Sequence, residues 1–116
     1  MTLFDEREHA AELMFVHDAE MRFRALARRN KLLGLWAANR MGLSGTHVEM
    51  YAHDLVEKVV AADQDEALVG KLQADLIQHG AVVSEHQLRR MIGRFMVEAV
   101  NQINAEPDLP AGGGPR

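Results

Sequence analysis

Residues 23–42 read FRALARRNKLLGLWAANRMG, and this stretch decides the fold. Placing its side chains at 100° intervals puts a set of apolar residues on a single helical face. This predicted core stripe comprises Phe23, Leu26, Ala27, Leu33, Ala37 and Met41. Residues 5–41 contain no proline, and Gly34 is the one weak breaker. The pattern therefore predicts a first helix that would be roughly 55 Å long if continuous.

Capping patterns mark the later helices. Thr46 is followed three residues later by Glu49, which is capping-box spacing, and apolar residues then recur at helical intervals. Ser84 is likewise followed three residues later by Gln87, which is a second capping-box spacing. Gly80 stands where a residue in the left-handed conformation would end the preceding helix. Three further helices are therefore predicted, at about residues 46–62, 65–79 and 84–106.

The predicted fold is all-α, a four-helix bundle whose first helix is longer than its partners. The later helices can cover only about half of the first, so we expect residues 1–18 to form an N-terminal arm outside the domain of residues 19–106. This arm has its own apolar stripe, centred roughly 130° around from the core stripe. The arm stripe comprises Leu3, Phe4, Ala10, Ala11, Met14 and Phe15. Residues 107–116, rich in glycine and proline, are predicted to be a disordered tail.

The arm stripe has no evident partner inside the domain, because it and the core stripe face different directions. An isolated helix of this length is marginal in water. We therefore expect an overhanging or disordered arm that becomes helical when it docks in a groove. In the alternative, the chain breaks near Asp18 and the arm folds back onto the bundle. An intermolecular coiled coil is disfavoured because no heptad pattern is sustained.

Charge is distributed unevenly along the chain, whose net charge is −4. Residues 1–20 contain six acidic side chains and Arg7 as their one base, whereas residues 21–40 contain six basic side chains and no acidic one. Residues 41–116 are again acidic, with eleven acids against six bases. The pattern favours a basic first helix packed against acidic partner helices over a patch that binds nucleic acid or phosphate.

The basic side chains of the first helix fall on both sides of the core stripe, which suits two partner helices better than one phosphate-binding stripe. One side carries Arg24, Arg28 and Lys31, and the other carries Arg22 and Arg29. Asn30 falls in the middle of the apolar face, one turn before Gly34. We expect Asn30 to make a buried hydrogen bond beside a close helix contact, and Trp36 to lie in the core.

Composition and spacing argue against catalysis and metal binding. The chain has no cysteine, which excludes disulfides and thiolate sites, and its six histidines include no pair at i, i+4 spacing. Ser44 and Ser84 have simpler uses in turns and caps. No apolar run approaches the about 20 residues of a membrane span, and the acidic N-terminus is unlike a signal peptide. We expect a monomeric, cytoplasmic, non-enzymatic protein that requires no metal or cofactor.

Five long strings in the sequence are distinctive. They are LFDERE (3–8), VHDAEMRF (16–23), ARRNKLLGLWAANRMG (27–42), YAHDLVEKVVAAD (51–63) and VSEHQLRRMIGRFMVEAVNQI (83–103). Together they resemble the zeta subunit family, small bacterial inhibitors of the F-type ATP synthase. The resemblance implies a four-helix protein whose N-terminal segment enters the catalytic head at a catalytic subunit interface, reaches the central rotor and blocks ATP hydrolysis. It implies that the partners are the catalytic head and the central rotor, and that the protein neither binds nucleic acid nor inserts into a membrane. It also implies a cytoplasmic location, peripheral to the inner membrane through the ATP synthase.

The resemblance also implies roles for particular residues. Its inhibitory, partner-binding positions are Phe4, Asp5, Arg7, Glu8, Phe15, His17 and Asp18. The family's basic helix, which would support docking or bind phosphate, is matched by Arg22, Arg28, Arg29 and Lys31. Three positions depart from the family pattern: Met14 replaces a lysine, Val16 a small residue and Ala19 an acid. The arm therefore lacks polar contacts on which inhibitory potency depends.

A second interpretation is a helical adaptor or adenine-nucleotide-binding module without strong inhibitory activity. The resemblance implies weak adenine nucleotide binding, without assigning it to residues. Under this interpretation, neutralising Arg28 and Arg29 would abolish binding, and binding would depend steeply on salt. Under the inhibitor interpretation, changes at Phe4 and Phe15 have the larger effect.

Overall fold

The computed structural model describes residues 19–62 and 65–106, and all regular structure in these ranges is helical. The four helices are α1 (Ala19–Arg40), α2 (Thr46–Ala62), α3 (Asp65–Gln78) and α4 (Glu85–Ala105). The all-α prediction is confirmed, and the last three helices begin and end within one residue of their expected bounds. The predicted arm and tail, residues 1–18 and 107–116, lie outside the described residues.

Helix ends follow the local sequence. Ser84 is the N-cap of α4, and its hydroxyl oxygen accepts a hydrogen bond from the backbone N–H of Gln87 at 3.0 Å. Gly80, just after α3, has φ 77°, and Gly42, just after α1, has φ 82°. Residues with a Cβ rarely adopt these angles, so glycine allows the chain to turn away from each helix axis. The predicted N-cap and C-terminal glycine are both confirmed.

Helix α1 is the centre of the bundle and packs most extensively against α2 and α4. Both neighbours are antiparallel to it: α2 follows after a short turn, and Arg28 near the start of α1 contacts Gln102 near the end of α4. Gly34 permits a close approach to α2, since a Cβ at this position would lie 2.6 Å from the Cα of Ala52. The predicted close helix contact at Gly34 is thus confirmed.

The core has two clusters of buried side chains. The larger cluster joins all four helices, and the smaller cluster joins the first half of α1 to the second half of α4. The larger contains Leu33, Ala37, Met41, Leu55, Leu68, Val69, Leu72, Leu76, Val83, Leu88 and Ile92. The smaller contains Ala25, Leu26, Met96, Val100 and Ile103. The core stripe is therefore confirmed from residue 26 onward, with Ala27 half-buried.

Phe23 was predicted to belong to the core stripe, and this prediction is wrong. Its side chain is 59% exposed. The contact between Gly34 and Ala52 sets the antiparallel register of α1 and α2, and this register places Ala62, the last residue of α2, opposite Arg24. Phe23 has the correct helical phase but lies beyond the end of the helix that would cover it.

Candidate functional site

The first turns of α1 are largely exposed. Residues 19–24 are exposed except for half-buried Met21, whereas Ala25 is fully buried. We call residues 19–24 the root, because the predicted arm continues from this segment. The root combines the exposed aromatic ring of Phe23 with the exposed guanidinium groups of Arg22 and Arg24. The root is therefore an exposed aromatic and basic surface at the N-terminal end of α1.

One carboxylate holds the root to the end of α4. The Arg24 Nη2 donates to Glu106 Oε1 at 3.2 Å, and Arg28 Nη2 donates to the other oxygen of the same carboxylate. Arg28 Nη1 also donates to Gln102 Oε1 at 2.9 Å. We call these four residues the Glu106 clamp. The Arg28 hydrogen bond, followed by the charges of Arg28 and Arg24, lowers the pKa of Glu106.

The Glu106 clamp should make the free energy of unfolding decrease as the pH falls through the acidic range. A carboxylate whose pKa is lower in the folded than in the unfolded chain stabilises the fold above its unfolded pKa, and that stabilisation is lost as pH falls through the folded pKa. Urea unfolding should therefore show that Glu106→Gln is less stable than the parent at about pH 7, with the difference shrinking toward about pH 3.

Glu98→Gln is the matched control for this titration. The Glu98 carboxylate accepts from the Gln102 amide at 3.1 Å, and it forms no ion pair with an arginine in the part of the chain that the structure describes. We expect its effect to change less with pH than that of Glu106→Gln. Equal pH dependence of the two variants would contradict the assignment to the clamp.

Arg29 lies inside the bundle rather than on its surface. It is only 3% exposed, although its partner Asp65, at the start of α3, has a side chain that is 57% exposed. Arg29 Nη1 donates to Asp65 Oδ1 at 3.1 Å, and Arg29 Nε donates to Asn30 Oδ1 at 3.0 Å. The Asn30 amide nitrogen is buried and has no hydrogen-bond partner in the described part of the chain. The expected buried hydrogen bond of Asn30 is confirmed, but only its oxygen is satisfied.

Trp36 packs against the larger core cluster and is half-buried, as its apolar surroundings in the sequence indicated. The guanidinium carbon of Arg40 lies 5.4 Å from the centroid of the Trp36 ring. This distance permits a cation–π interaction at the end of α1. Trp36 therefore belongs to the bundle.

The helices are also joined by polar contacts that the sequence did not predict. Tyr51 Oη donates to Asp75 Oδ2 at 2.7 Å, and Lys71 Nζ donates to the same oxygen at 3.1 Å. Burial, followed by the hydrogen bond and charge of Asp75, raises the pKa of Tyr51. Arg89 on α4 similarly donates to Glu66 on α3 at 3.0 Å. The i, i+4 spacing of Lys71 and Asp75 was the one local feature that could have indicated these contacts.

The basic residues singled out by sequence do not form one surface. Arg28 is engaged with α4, Arg29 is buried against Asp65, and Arg22 and Lys31 are exposed. Basic side chains of α1 thus pair with carboxylates of partner helices, as the charge pattern indicated. The seven predicted arm positions lie outside the described residues: Phe4, Asp5, Arg7, Glu8, Phe15, His17 and Asp18.

Residues 19–62 and 65–106 contain no group of three histidine or carboxylate side chains placed to hold a metal ion. None of the helices in the same ranges is long and apolar enough to cross a membrane.

A shallow groove of about 380 Å³ runs between α1 and the outer face of α4. Its apolar surface comes mainly from half-buried side chains, and one arginine and one glutamate lie at its edge. We call it the α1/α4 groove. It is lined by Leu32, Met91, Arg94, Phe95, Val97, Glu98 and Gln102.

Comparison with known proteins gives one positive result. The family model described as ATPase inhibitor subunit zeta matches residues 1–102, which include the predicted arm and almost all of the bundle. No curated protein and no solved structure gave a significant match. Because the family match extends over most of the 116 residues, the chain belongs to the ATPase inhibitor subunit zeta family.

Proposed function

We propose that this protein inhibits ATP hydrolysis by the F-type ATP synthase. In this proposal the arm inserts at a catalytic subunit interface of the head and blocks the central rotor, while the bundle remains outside as an anchor. The family match to an ATPase inhibitor subunit is the observation that carries the proposal, and it extends through residues 1–18 as well as the bundle. The protein acts as a regulator rather than as an enzyme, at the cytoplasmic side of the membrane that holds the synthase.

The pattern of the arm suits insertion between two protein surfaces. Its apolar stripe supplies Phe4 and Phe15 as anchors, and aromatic side chains in desolvated pockets commonly dominate interface energies. On a helix Glu8 lies beside this stripe and Asp5 on the side away from it, and both carboxylates can pair with basic groups of a cleft. The remaining proposed contacts are Arg7, His17 and Asp18.

The root connects such an arm to a rigid support. The Glu106 clamp fixes the first turns of α1 to α4, and Ala25 is already fully buried one residue after the root. An arm that continues from Ala19 would therefore transmit force to a packed bundle rather than to a flexible linker. Exposed Phe23 offers a separate apolar contact at the root, on the side of the core stripe rather than of the arm stripe.

To block the rotor, the inserted arm needs only to bind one rotational state of the ATP synthase better than the others, because a ligand shifts an equilibrium by its differential affinity for the states. Hydrolysis and synthesis turn the rotor in opposite senses. The block is therefore directional. Rotation in the hydrolysis sense strengthens the binding of the arm in the cleft, and rotation in the synthesis sense expels the arm.

The proposal is tested by titrating the cognate ATP synthase head, stripped of this protein, with the full chain and with a chain that starts at Ala19. Inhibition of ATP hydrolysis should be seen with the full chain and lost with the shorter one. In the full chain, Phe4→Ala combined with Phe15→Ala should raise the half-inhibiting concentration about thirtyfold, the effect of losing about 2 kcal/mol at an interface anchor. Met50→Ala removes a side chain of α2 that is 65% exposed, and it should change nothing.

Other results of this titration would either contradict the proposal or point to particular residues of the arm. Equal inhibition by the full and shortened chains would show that the arm is not the inhibitory segment. Binding of the full chain without inhibition would point to the departures at Met14 and Ala19. Met14→Lys and Ala19→Glu, which restore the family pattern, should then restore inhibition.

Adenine nucleotide binding is a separate proposal, carried by the resemblance alone. A phosphate group that approached Arg28 or Arg29 would have to compete with the carboxylates of Glu106 and Asp65. Exposed Lys31 has no ion-pair partner in the ranges that the structure describes, and it is the simplest contact for a phosphate among the four basic residues singled out by sequence.

A further inference from the structure

The root buries little apolar surface. Ala25 and Leu26 pack in the smaller core cluster, whereas residues 19–24 are exposed except for half-buried Met21. Helix α2 ends at this level, because its last residue lies opposite Arg24. Terminal turns of a helix that bury little apolar surface open more easily than the rest of the fold. The helical state of the root therefore relies on polar contacts more than on packing.

The Glu106 clamp supplies such contacts from a fixed point. Glu106 is the C-cap of α4, and its backbone N–H donates to the carbonyl oxygen of Ile103 at 3.2 Å. Ile103 is buried in the smaller core cluster, so the bundle holds the base of the Glu106 side chain. The two oxygens of the Glu106 carboxylate accept from Arg24 and Arg28, which lie one turn apart on α1. The end of α4 thus holds two successive turns of α1, and the first of them belongs to the root.

The charge at the end of α4 favours the same arrangement. The last carbonyl groups of a helix carry partial negative charge, which attracts cations within about one turn. Glu106 directly follows the last residue of α4, so its carboxylate and the helix terminus attract Arg24 and Arg28 together. An arginine at position 106 would keep the helix terminus but replace both ion pairs with repulsion.

We propose that Glu106 is a positioning residue for inhibition, because it keeps the root helical in the free protein and so fixes the direction in which the arm leaves the bundle. The part that concerns the arm rests on the function proposed above. A root that is already ordered does not have to be ordered when the arm binds. Binding that requires the ordered root weakens as that state is depopulated. Loss of the clamp therefore weakens inhibition although every residue of the arm is unchanged.

Hydrogen exchange in the full chain tests the first step without an ATPase. Glu106→Arg removes two ion pairs and places a third positive charge beside the two arginines. Each exposed ion pair shifts an equilibrium by up to about fivefold, so NMR should show the amides of residues 23–26 exchanging about tenfold faster. Glu85→Arg is the matched control, because it removes an exposed carboxylate paired with Arg89 at the opposite end of α4. It should leave the exchange of residues 23–26 unchanged.

A charge swap tests the second step in the titration of the ATP synthase head. A population shift of about tenfold should raise the half-inhibiting concentration of Glu106→Arg about threefold to fivefold. Arg28→Glu should raise it as well, because it places two carboxylates at the clamp. The two changes combined exchange the charges across the pair, so they should restore both the exchange rates and inhibition. Glu85→Arg should inhibit like the parent chain.

Several results would overturn the proposal. Unchanged exchange at residues 23–26 in Glu106→Arg would show that the clamp does not order the root. Faster exchange with undiminished inhibition would show that order in the root does not limit inhibition. Inhibition that the charge swap fails to restore would indicate a direct contact of Arg28 or Glu106 with the ATP synthase. Absence of inhibition by the parent chain would overturn the proposed function, whereas the exchange rates would still decide whether Glu106 orders the root.

Discussion

Gly34→Ala should destabilise the bundle, although alanine is the better helix former. The new Cβ would lie 2.6 Å from the Cα and 3.1 Å from the Cβ of Ala52. The first contact is with backbone, so no side-chain rotation can relieve it and α1 and α2 must move apart. Overpacking costs about 1–3 kcal/mol, and a contact this short with backbone belongs to the upper part of that range, about 2–3 kcal/mol, against a gain of about 1 kcal/mol from helix propensity. We expect a net loss of about 1–2 kcal/mol in the free energy of unfolding.

Gly70→Ala provides the same chemical change at a site without this contact. Gly70 lies within α3, is exposed, and a Cβ there would have no heavy atom within 4 Å. Its replacement should stabilise the protein by about 0.5–1 kcal/mol. Urea unfolding of the two variants should therefore shift the midpoint in opposite directions. A higher midpoint for both would show that α1 and α2 are not in tight contact at Gly34.

Arg29→Met should produce the largest loss of stability among the basic residues of α1. The substitution keeps an apolar side chain in the buried space but removes the hydrogen bonds to Asp65 and Asn30. Among the residues that the structure describes, it leaves the Asn30 side chain, which is 0% exposed, without a partner for its oxygen as well as its nitrogen. Removing one member of a buried pair costs about 3–5 kcal/mol, and the exposure of Asp65 lowers this to about 2–3 kcal/mol.

Arg24→Met is the matched control, since it also removes an arginine of α1 that is paired with a carboxylate. The Arg24 side chain is 45% exposed, and solvent screens its ion pair with Glu106. Exposed pairs contribute about 0–1 kcal/mol, so Arg24→Met should have a correspondingly small effect on urea unfolding. If Arg29→Met and Arg24→Met lower the free energy of unfolding by the same amount, the burial of Arg29 does not determine the strength of its ion pair with Asp65.

The contrast between these arginines shows what sequence patterns can predict. The segregation of charge predicted that the basic side chains of α1 would pair with carboxylates of other helices, and Arg24, Arg28 and Arg29 do so. The sequence did not predict which carboxylates these are. Arg28 and Glu106 are 78 residues apart in sequence, and Arg29 and Asp65 are 36 apart, so the pairs depend on how whole helices are arranged.

The sequence by itself determined the four helices, because their caps, glycines and apolar periodicity are local features that act within a few residues. It also determined the core stripe of α1 and the close contact at Gly34. Only the tertiary structure decided that Phe23 is exposed and that Arg29 is buried. The physical reason is that helical phase defines a direction around one axis, whereas burial depends on where the neighbouring helix ends and which side chains it presents.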